Sequence, residues 1–212
     1  TTTMSGSIST TGFFGIGVFN LQADDNTTTM SGSISTTGED AYGIWNWGSG
    51  NTTTMSGSIS TTGENAYGIH IGDYNQTNSS SVGDNNTTTV SGSIKTEGAG
   101  AHGIYNDGDN NTTTISGTVK ATGAQSAALY NVYGSGNSFT LNEGATIIGD
   151  ILARDATGTN LDATNSKLIF NLGASTSYAY SVSGKGAGTT AGQWTFSDLD
   201  GRTQGVTTTG TG

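Results

Sequence analysis

The chain of 212 residues contains no cysteine and no proline, and charged residues make up only 10% of it. Without cysteine there is no disulfide framework, no thiolate nucleophile and no cysteine-based metal site. Hydrophobic residues are also few, at 31%, and glycines number 35, so the chain has little material for a globular core. Its stability must come from packing and from backbone hydrogen bonds.

Positive charge is scarce as well. Six Lys and Arg stand against sixteen Asp and Glu, for a net charge of −10, and the only bases within residues 1–137 are Lys95 and Lys120. This balance disfavours binding to nucleic acids or to anionic lipid. No apolar run approaches the roughly 20 residues that span a bilayer, so we expect no membrane insertion of this segment. Because Thr1 lies inside a repeat, we expect the chain to be a piece of a longer one.

The residues that are abundant predict strands. Thr, Ile and Val are β-branched, and together with glycine turns they favour an all-β chain over a disordered one. The twelve letters "TTTMSGSISTTG" at 1–12 recur unchanged at 27–38 and 52–63. Repeats start at 1, 27, 52, 87 and 112, with a degenerate sixth from Ser138, so the intervals are 26, 25, 35, 25 and 26 residues. Such a period is typical of a solenoid.

Alternation within each repeat predicts which side chains point inward, because residues two apart share a face of a strand. The first pair of inward columns is Met4 and Ile8, Met30 and Ile34, Met55 and Ile59, Val90 and Ile94, and Ile115 and Val119. We assign a second pair inward, namely Phe14 with Ile16, Tyr42 with Ile44, Tyr67 with Ile69, His102 with Ile104, and Ala127 with Leu129. On this alignment His102 is a packed ring.

These patterns predict a single-stranded parallel β-helix, a β-solenoid of about 25 residues per coil with like residues stacked on like. One consequence is an asparagine ladder at a turn, formed by Asn26, Asn51, Asn86, Asn111 and Asn137. We assign 1–137 to repeat coils with a long loop at 70–85, 138–205 to terminal coils and an irregular C-terminal cap, and 206–212 to a linker. Strands are expected at 167–172, 178–182 and 193–196.

The unit "SGSISTTGENAYGI", followed by "NEGATIIGDI", "SKLIFNLG", "YAYSVSG" and "QWTFSDLDGRTQ", resembles the passenger region of bacterial type V autotransporters. The resemblance covers essentially the whole chain. It implies a parallel β-helical passenger that a separate C-terminal barrel carries through the outer membrane of a Gram-negative bacterium, and we expect that barrel to be absent from these residues. It also implies an extracellular or cell-surface location and a role as a stalk or adhesin.

Few side chains of the sequence could support catalysis or bind a metal ion. His70 and His102 are the only histidines, and no serine motif accompanies them. Acidic pairs could suggest a polysaccharide-cleaving enzyme, but we interpret them as solvated turn residues and expect no enzyme activity and no cofactor. These pairs are Asp24 with Asp25, Glu39 with Asp40, Asp107 with Asp109, and Asp198 with Asp200. The segment "NDGDNN" at 106–111 could hold Ca²⁺, although an Asx-rich turn is the simpler interpretation and we predict no metal site.

Three features could bind a partner. The residue after each inward Ile or Leu should face away from the core, where such rings could bind sugars or proteins or simply cover one another. These residues are Trp45, His70, Tyr105 and Tyr130, and Trp47, Tyr74 and Tyr133 lie close by in the sequence. The loop at 70–85 is ten residues longer than its counterpart at 45–50, and long loops on solenoids often carry binding. Threonines flanking the middle Thr of each triplet would form a two-column outward array similar to that of ice-binding solenoids.

We therefore expect a non-enzymatic rod for adhesion or self-association, including end-to-end filament assembly. Its partners would be a host or neighbouring-cell surface, protein or glycan, and other copies of the chain. A carbohydrate-binding or carbohydrate-cleaving β-helix is the alternative, and ice binding through the threonine array is a minor one.

Overall fold

The structure is a computed structural model, and it describes residues 1–73, 83–154, 166–171, 179–180, 195–197 and 207–208. Each sequence repeat supplies three short strands. In the first three coils these are β1 (Thr2–Met4), β2 (Ser7–Thr10), β3 (Val18–Leu21), β4 (Thr27–Met30), β5 (Ser33–Thr36), β6 (Ile44–Trp47), β7 (Thr52–Met55), β8 (Ser58–Thr61) and β9 (Ile69–Ile71). In the next three they are β10 (Thr87–Val90), β11 (Ser93–Thr96), β12 (Ile104–Asn106), β13 (Thr112–Ile115), β14 (Thr118–Ala121), β15 (Ala127–Val132), β16 (Ser138–Asn142), β17 (Thr146–Ile148) and β18 (Asp150–Arg154). The remaining strands are β19 (Lys167–Asn171), β20 (Ala179–Tyr180), β21 (Thr195–Ser197) and β22 (Thr207–Thr208).

All described strands except β20 and β22, which pair with each other, form three parallel sheets that run along a solenoid. The first sheet has the order β1-β4-β7-β10-β13-β16-β19-β21, the second β2-β5-β8-β11-β14-β17, and the third β3-β6-β9-β12-β15-β18. Equal residues of successive coils pair in register, so that Thr27 lies beside Thr52 and Met30 beside Met55. The predicted all-β parallel solenoid is therefore confirmed. No helix that could cross a membrane occurs among the described residues.

Two turns in each coil require a left-handed residue. The first turn, before the third sheet, has φ between 50° and 66° at Phe14, Asp40, Asn65, Gly100 and Gln125. The second, before the first sheet, has φ between 55° and 71° at Asp25, Gly50, Asn85, Asn110 and Gly136. Gly, Asn and Asp tolerate this conformation best, and they fill most of these positions. The polar turn residues of the sequence thus have a backbone role.

The corner between the first and second sheets depends on close stacking of glycines. A Cβ atom on Gly57 would overlap the carbonyl oxygen of Gly32, which lies one coil earlier. The same holds at the next turn, where a Cβ on Gly63 would overlap the carbonyl oxygen of Gly38. Because the coils are separated only by the strand spacing of ~4.8 Å, any side chain pointing along the axis at these corners would push them apart.

The first pair of predicted inward columns is confirmed. Met30, Ile34, Met55, Ile59, Val90, Ile94, Ile115 and Val119 are all buried in one apolar core, and Met4 and Ile8 pack against it. The second pair is correct only for Ile44, Ile69, Ile104 and Leu129, while Ala127 is buried but is not part of the apolar core. In the first coil our alignment was wrong by two residues, because Val18, not Ile16, pairs with Ile44. The letters "FGI" and "YGI" look alike but occupy different places in their coils.

The aromatic members of that second pair do not point inward. Strand β6 begins only at Ile44, so the two-residue alternation does not extend back to Tyr42 in the preceding turn. Tyr42, Tyr67 and His102 pack instead against rings on the outer face of the third sheet. The prediction that His102 is a packed ring is right about its burial, at 7% exposure, but wrong about the side of the sheet.

The predicted asparagine ladder is confirmed, and it runs along one turn. The backbone N–H of Asn26 donates to Oδ1 of Asn51 at 2.8 Å. The same bond links Asn51 to Asn86 at 2.7 Å, Asn86 to Asn111 at 2.6 Å and Asn111 to Asn137 at 2.7 Å. These bonds satisfy backbone donors at a buried turn, where an unpaired donor would be costly.

A second polar column lies inside the solenoid and was not predicted. The amide of Asn20 donates to Thr28 Oγ1 at 3.1 Å and to Asn46 Oδ1 at 2.6 Å, and Asn46 donates to Thr53 Oγ1 at 3.0 Å. In the third coil Ile71 occupies the corresponding position, beside Asn46 and Asn106. Thr88 is the counterpart of Thr53 one coil later, but Ile71 stands where an asparagine would donate to it. The buried hydroxyl of Thr88 has no hydrogen-bond partner among the described residues.

The C-terminal part continues the first sheet through β19 and β21. Of the predicted strands, 167–172 corresponds to β19 (Lys167–Asn171), while the predicted strands at 178–182 and 193–196 overlap β20 (Ala179–Tyr180) and β21 (Thr195–Ser197), with their other residues outside the described part of the chain. Within the expected linker at 206–212, Thr207 and Thr208 pair with Ala179 and Tyr180. Residues 74–82 of the long loop lie outside the described residues.

We expect Thr88→Val to stabilise the protein by about 1 kcal/mol, because it removes a buried hydroxyl that lacks a partner. Thr53→Val is the matched control, since it deletes the acceptor of the Asn46 amide and should cost about 1–2 kcal/mol. Denaturant unfolding of the two variants measures both changes. Equal destabilisation by the two substitutions would contradict the conclusion that Ile71 interrupts the inner polar column and leaves Thr88 without a partner.

Candidate functional site

The outer face of the third sheet carries a continuous set of aromatic rings. Its strands bring Phe19, Trp45, His70, Tyr105 and Tyr130 into register on successive coils. Alternate residues such as Ile44 and Asn46 are fully buried on the inner face, so the rings face away from the core as predicted. Tyr42, Tyr67 and His102 form a neighbouring column from the turn that precedes these strands.

The rings cover one another. Trp45 is sandwiched between Phe19 and His70, with ring centroids 4.6 Å and 5.2 Å away and nearly parallel planes. Tyr67 of the neighbouring column stacks on Tyr42 of the same column at 4.9 Å and on Tyr105 of the first column at 4.5 Å. Parallel strands place equal residues ~4.8 Å apart, which is close to the separation of stacked aromatic rings. The register therefore accounts for the stacking of Phe19, Trp45 and His70 and of Tyr42 on Tyr67, whereas Tyr67 and Tyr105 stack between the two columns.

Of the two arrangements predicted for these aromatic residues, exposed rings or rings that cover one another, the second is found for Trp45 and His70. They are only 3% and 2% exposed, so neither is an exposed ring. The half-buried members of the predicted set are Trp47, Tyr105, Tyr130 and Tyr133, and Tyr74 lies outside the described residues. Trp47 stacks on Trp45 at 5.1 Å, and Tyr130 packs against His102 at 4.5 Å.

A recess of about 270 Å³ opens beside this ring stack, across the second to fourth coils. Its aromatic lining consists of Tyr42, Tyr67, Tyr105 and His70. Its other lining residues are polar, namely Asp40, Asn65, Asp73 and Asp107. The recess thus joins rings from the third sheet to carboxylates from two different turns, and it holds more acidic than basic groups.

His70 and Asp107 form a buried pair at this recess. Nε2 of His70 lies 3.4 Å from Oδ2 of Asp107, and both side chains are 2% exposed. Gly72 makes room for the pair, because a Cβ there would overlap Oδ1 of Asp107. The backbone carbonyl of Gly72 also accepts a hydrogen bond from Nε1 of Trp45 at 2.9 Å, which fixes the strand end beside the rings.

The surroundings shift two ionisation equilibria. Burial raises the pKa of Asp40, and the neighbouring carboxylates of Glu39 and Glu64 raise it further. Burial also raises the pKa of the Tyr105 hydroxyl, with Asp107 adding to the effect. Tyr105 therefore keeps its proton and can act as a hydrogen-bond donor at the recess.

The sequence did not identify the recess. Asp107 was interpreted as a solvated turn residue, but its side chain is buried against His70. Asp109, which the sequence analysis paired with Asp107, does lie in a turn, and its Oδ1 accepts a hydrogen bond from the backbone N–H of Ser135 at 2.6 Å. Three or more His or acidic side chains do not come together as a metal-binding group anywhere in the described part of the chain. Asp73 and Asn65 gave no sequence signal, since only the coiling brings them beside His70.

We expect Asp40→Asn to stabilise the protein at pH 7 by about 0.5 kcal/mol, because it removes a carboxylate charge that is buried beside Glu39 and Glu64. A raised carboxyl pKa means that the native state binds the proton more tightly than the unfolded chain, so Asp40 costs stability above its native pKa. This cost vanishes below the unfolded pKa of ~3.9, so the gain should disappear at pH 3. Thermal unfolding at both pH values measures it.

Asp25→Asn is the control for backbone effects, because Asp25 also has a left-handed φ of 55°. The native Asn65, with φ 50° one coil after Asp40, shows that asparagine fits the tested position. A gain for Asp40→Asn that persisted unchanged at pH 3 would mean that the charge is not its cause.

Comparisons of the chain with protein-family models, with curated proteins and with solved structures give no match.

Proposed function

We propose that this protein is a non-enzymatic rod for adhesion or self-association, displayed on or released from the surface of a Gram-negative bacterium as an autotransporter passenger. The observation that supports the proposal is the in-register stacking of coils, in which each surface residue recurs on the neighbouring coil. A surface of this kind offers many equal weak contacts at fixed spacing. Together such contacts bind far more tightly than any one of them alone.

The outer face of the first sheet is the surface best suited to self-association. It carries two columns of threonines in the first five coils, Thr1 and Thr3, Thr27 and Thr29, Thr52 and Thr54, Thr87 and Thr89, and Thr112 and Thr114. The triplet's middle residue points inward, as Thr28 and Thr53 show by their complete burial. Serines 5, 31, 56, 91 and 116 continue the outward face, so it has no charge in these coils. On a chain of net charge −10, an uncharged face is where two copies repel each other least.

We expect the double substitution Thr54→Lys and Thr89→Lys to weaken self-association at least tenfold, since two buried like charges would oppose the contact. The two positions pair on adjacent coils, Thr54 beside Thr89. Sedimentation velocity over a range of protein concentrations measures the association.

The matched control is Ser35→Lys with Ser60→Lys on the second sheet. Ser35 pairs with Ser60, and the same column already carries Lys95 and Lys120 side by side, so lysines fit there. Equal loss of association in both double variants would show that charge alone, not the threonine face, is responsible. A chain that stays monomeric at every concentration would leave only adhesion to other surfaces.

Carbohydrate binding is the second candidate function, and the acidic aromatic recess favours it. Polar groups around a small recess beside rigid rings are typical of sites that hold a sugar by hydrogen bonds. Trp45 is a poor probe of this function because its removal would disrupt a buried stack. Tyr105, which is half-buried and lines the recess, is the better one.

The threonine array also keeps ice binding as a minor alternative. Its columns are outward and in register, with ~4.8 Å between coils and ~6.7 Å along each strand. We expect no thermal hysteresis from the protein at high concentration if adhesion is its function. Measurable thermal hysteresis that is lost in the Thr54→Lys, Thr89→Lys variant would instead favour ice binding as the function.

A further inference from the structure

We propose that an apolar patch on the first coil, formed by Phe13, Phe19 and Leu21, binds a basic segment of another protein in which aromatic or aliphatic side chains alternate with lysine or arginine. This inference rests on the adhesive function proposed above, and it names the chemistry of the protein partner. The patch is a different surface from the threonine columns of the first sheet and from the recess beside His70.

The patch holds three of the four large hydrophobic side chains that are exposed in the described part of the chain. Phe13 is 66% exposed, Leu21 53% and Phe19 39%. The fourth, Ile148, lies far away on the second sheet in the sixth coil. Single exposed apolar residues are common on protein surfaces, whereas a cluster of them marks a surface that binds a partner.

The position of Phe13 faces solvent in each coil, so its exposure does not come from its place in the first one. The counterparts of Phe13 precede the left-handed residue of the same turn, and all are exposed, namely Glu39, Glu64, Ala99 and Ala124. Phe14 itself has φ 52°, a conformation that Asn65 and Gly100 adopt in later coils and that a bulky residue rarely adopts. Such departures from local preference are typical of functional sites.

Ring contacts join the patch into one surface with the second coil. Phe19 stacks on Trp45 at 4.6 Å and lies 6.3 Å from the ring of Trp47, and Leu21 pairs with Trp47 across the two coils. The contacts that connect Phe13 to these rings run through Phe14 and Tyr42, with centroid separations of 4.6, 6.5 and 5.3 Å. The patch is therefore continuous and rests on a buried aromatic stack.

The chemistry of the patch favours a polypeptide over a sugar. Its three exposed side chains are two phenyl rings and a leucine, which carry no hydrogen-bonding group. A sugar needs a few polar groups to fix its orientation, while apolar side chains of a protein need only contact area. Exposed aromatic residues are also enriched where proteins bind one another.

The charge around the patch favours a basic partner. Glu39 is exposed one coil after Phe13, and its carbonyl oxygen accepts a hydrogen bond from the N–H of Phe14 at 3.1 Å. Asp25, also exposed, lies four residues after Leu21. Residues 1–94 contain no lysine or arginine, and their acids are Asp24, Asp25, Glu39, Asp40, Glu64, Asp73 and Asp84. A second copy that used the same patch would bring like charges together, and anionic lipid would be repelled, whereas lysine or arginine beside apolar side chains would be attracted.

The test uses three blocked hexapeptides as probes. One alternates lysine with phenylalanine, the second alternates lysine with serine, and the third alternates glutamate with phenylalanine. Isothermal titration calorimetry on the full chain should show that the lysine–phenylalanine peptide binds at least about tenfold more tightly than either of the others. The second peptide lacks the apolar contact, and the third has the wrong charge.

A double variant locates the contact. Phe13→Ala with Leu21→Ala should weaken binding of the lysine–phenylalanine peptide at least about tenfold, because it removes two exposed apolar side chains. Alanine fits the first of these positions, since Ala99 and Ala124 occupy it in later coils. Ile148→Ala is the matched control and should leave the affinity unchanged. Circular dichroism and the unfolding midpoint confirm that each variant is folded.

A second double variant tests the charge without altering the apolar side chains. Glu39→Gln with Asp25→Asn should weaken binding of the same peptide about fivefold at low salt, and the difference from the native chain should shrink as salt is added. Asparagine fits the turn of Asp25, because Asn85 and Asn110 have the same φ of 55° in later coils. Glu143→Gln, at an exposed acid of the sixth coil, is the control.

The inference is overturned if the lysine–phenylalanine peptide does not bind, if the lysine–serine peptide binds equally well, or if Phe13→Ala with Leu21→Ala weakens binding no more than Ile148→Ala does. Loss of self-association in that double variant, without peptide binding by the native chain, would identify a second copy as the occupant. Loss of binding to phosphatidylcholine vesicles, again without peptide binding, would identify lipid. Either result overturns the inference.

Failure of this inference and failure of the proposed function give different results. If no peptide binds while the protein still self-associates or adheres to cells, the inference fails and the proposed function stands. If the lysine–phenylalanine peptide binds as described but the protein neither self-associates nor adheres, the proposed function fails and the binding surface remains.

Discussion

The structure depends on one constraint, the parallel pairing of each coil with the next in register at a rise of ~4.8 Å. A single coil cannot bury its few apolar side chains, so the core exists only as columns of Met, Ile and Val shared between neighbours. Backbone hydrogen bonds run along the axis, and the turns are closed by ladders of equal residues. This arrangement explains how a chain with 31% hydrophobic residues and no disulfide can form an ordered structure.

The same constraint determines which residues can occupy each column. Glycines such as Gly57 recur because a side chain there would meet the backbone of the coil before. Threonine recurs as the last residue of the second-sheet strands β5, β8 and β11 for another reason. The buried hydroxyls of Thr36, Thr61 and Thr96 donate to the carbonyl oxygens of Ala41, Ala66 and Ala101 at 2.5–2.8 Å, which closes the turn that follows. A repeated letter is therefore a structural requirement in many columns, and variation between coils marks the places where surface properties differ.

Variation is concentrated on the outer face of the third sheet. There the column that begins with Phe19 and Trp45 continues as His70, Tyr105 and Tyr130. The third coil is the most irregular, since Ile71 interrupts the inner asparagine column and Gly72 leaves space for Asp107 of the next coil. The recess lies at this irregularity. The regular stack supplies rigidity, and this departure from the repeat in the third coil supplies a polar recess with an acidic character.

The sequence alone determined the period, the parallel stacking, the asparagine ladder and the first two inward columns. These follow from local spacing, because in a solenoid the neighbour in space is the residue one repeat away. The sequence misplaced Tyr42, Tyr67 and His102, since alternation holds only within a strand and it cannot show where β6 begins. It also could not show that Trp45 and His70 are buried by their neighbours, or that Asp107 meets His70. Those contacts join residues of different columns across turns of unequal length, and only the tertiary structure brings them together.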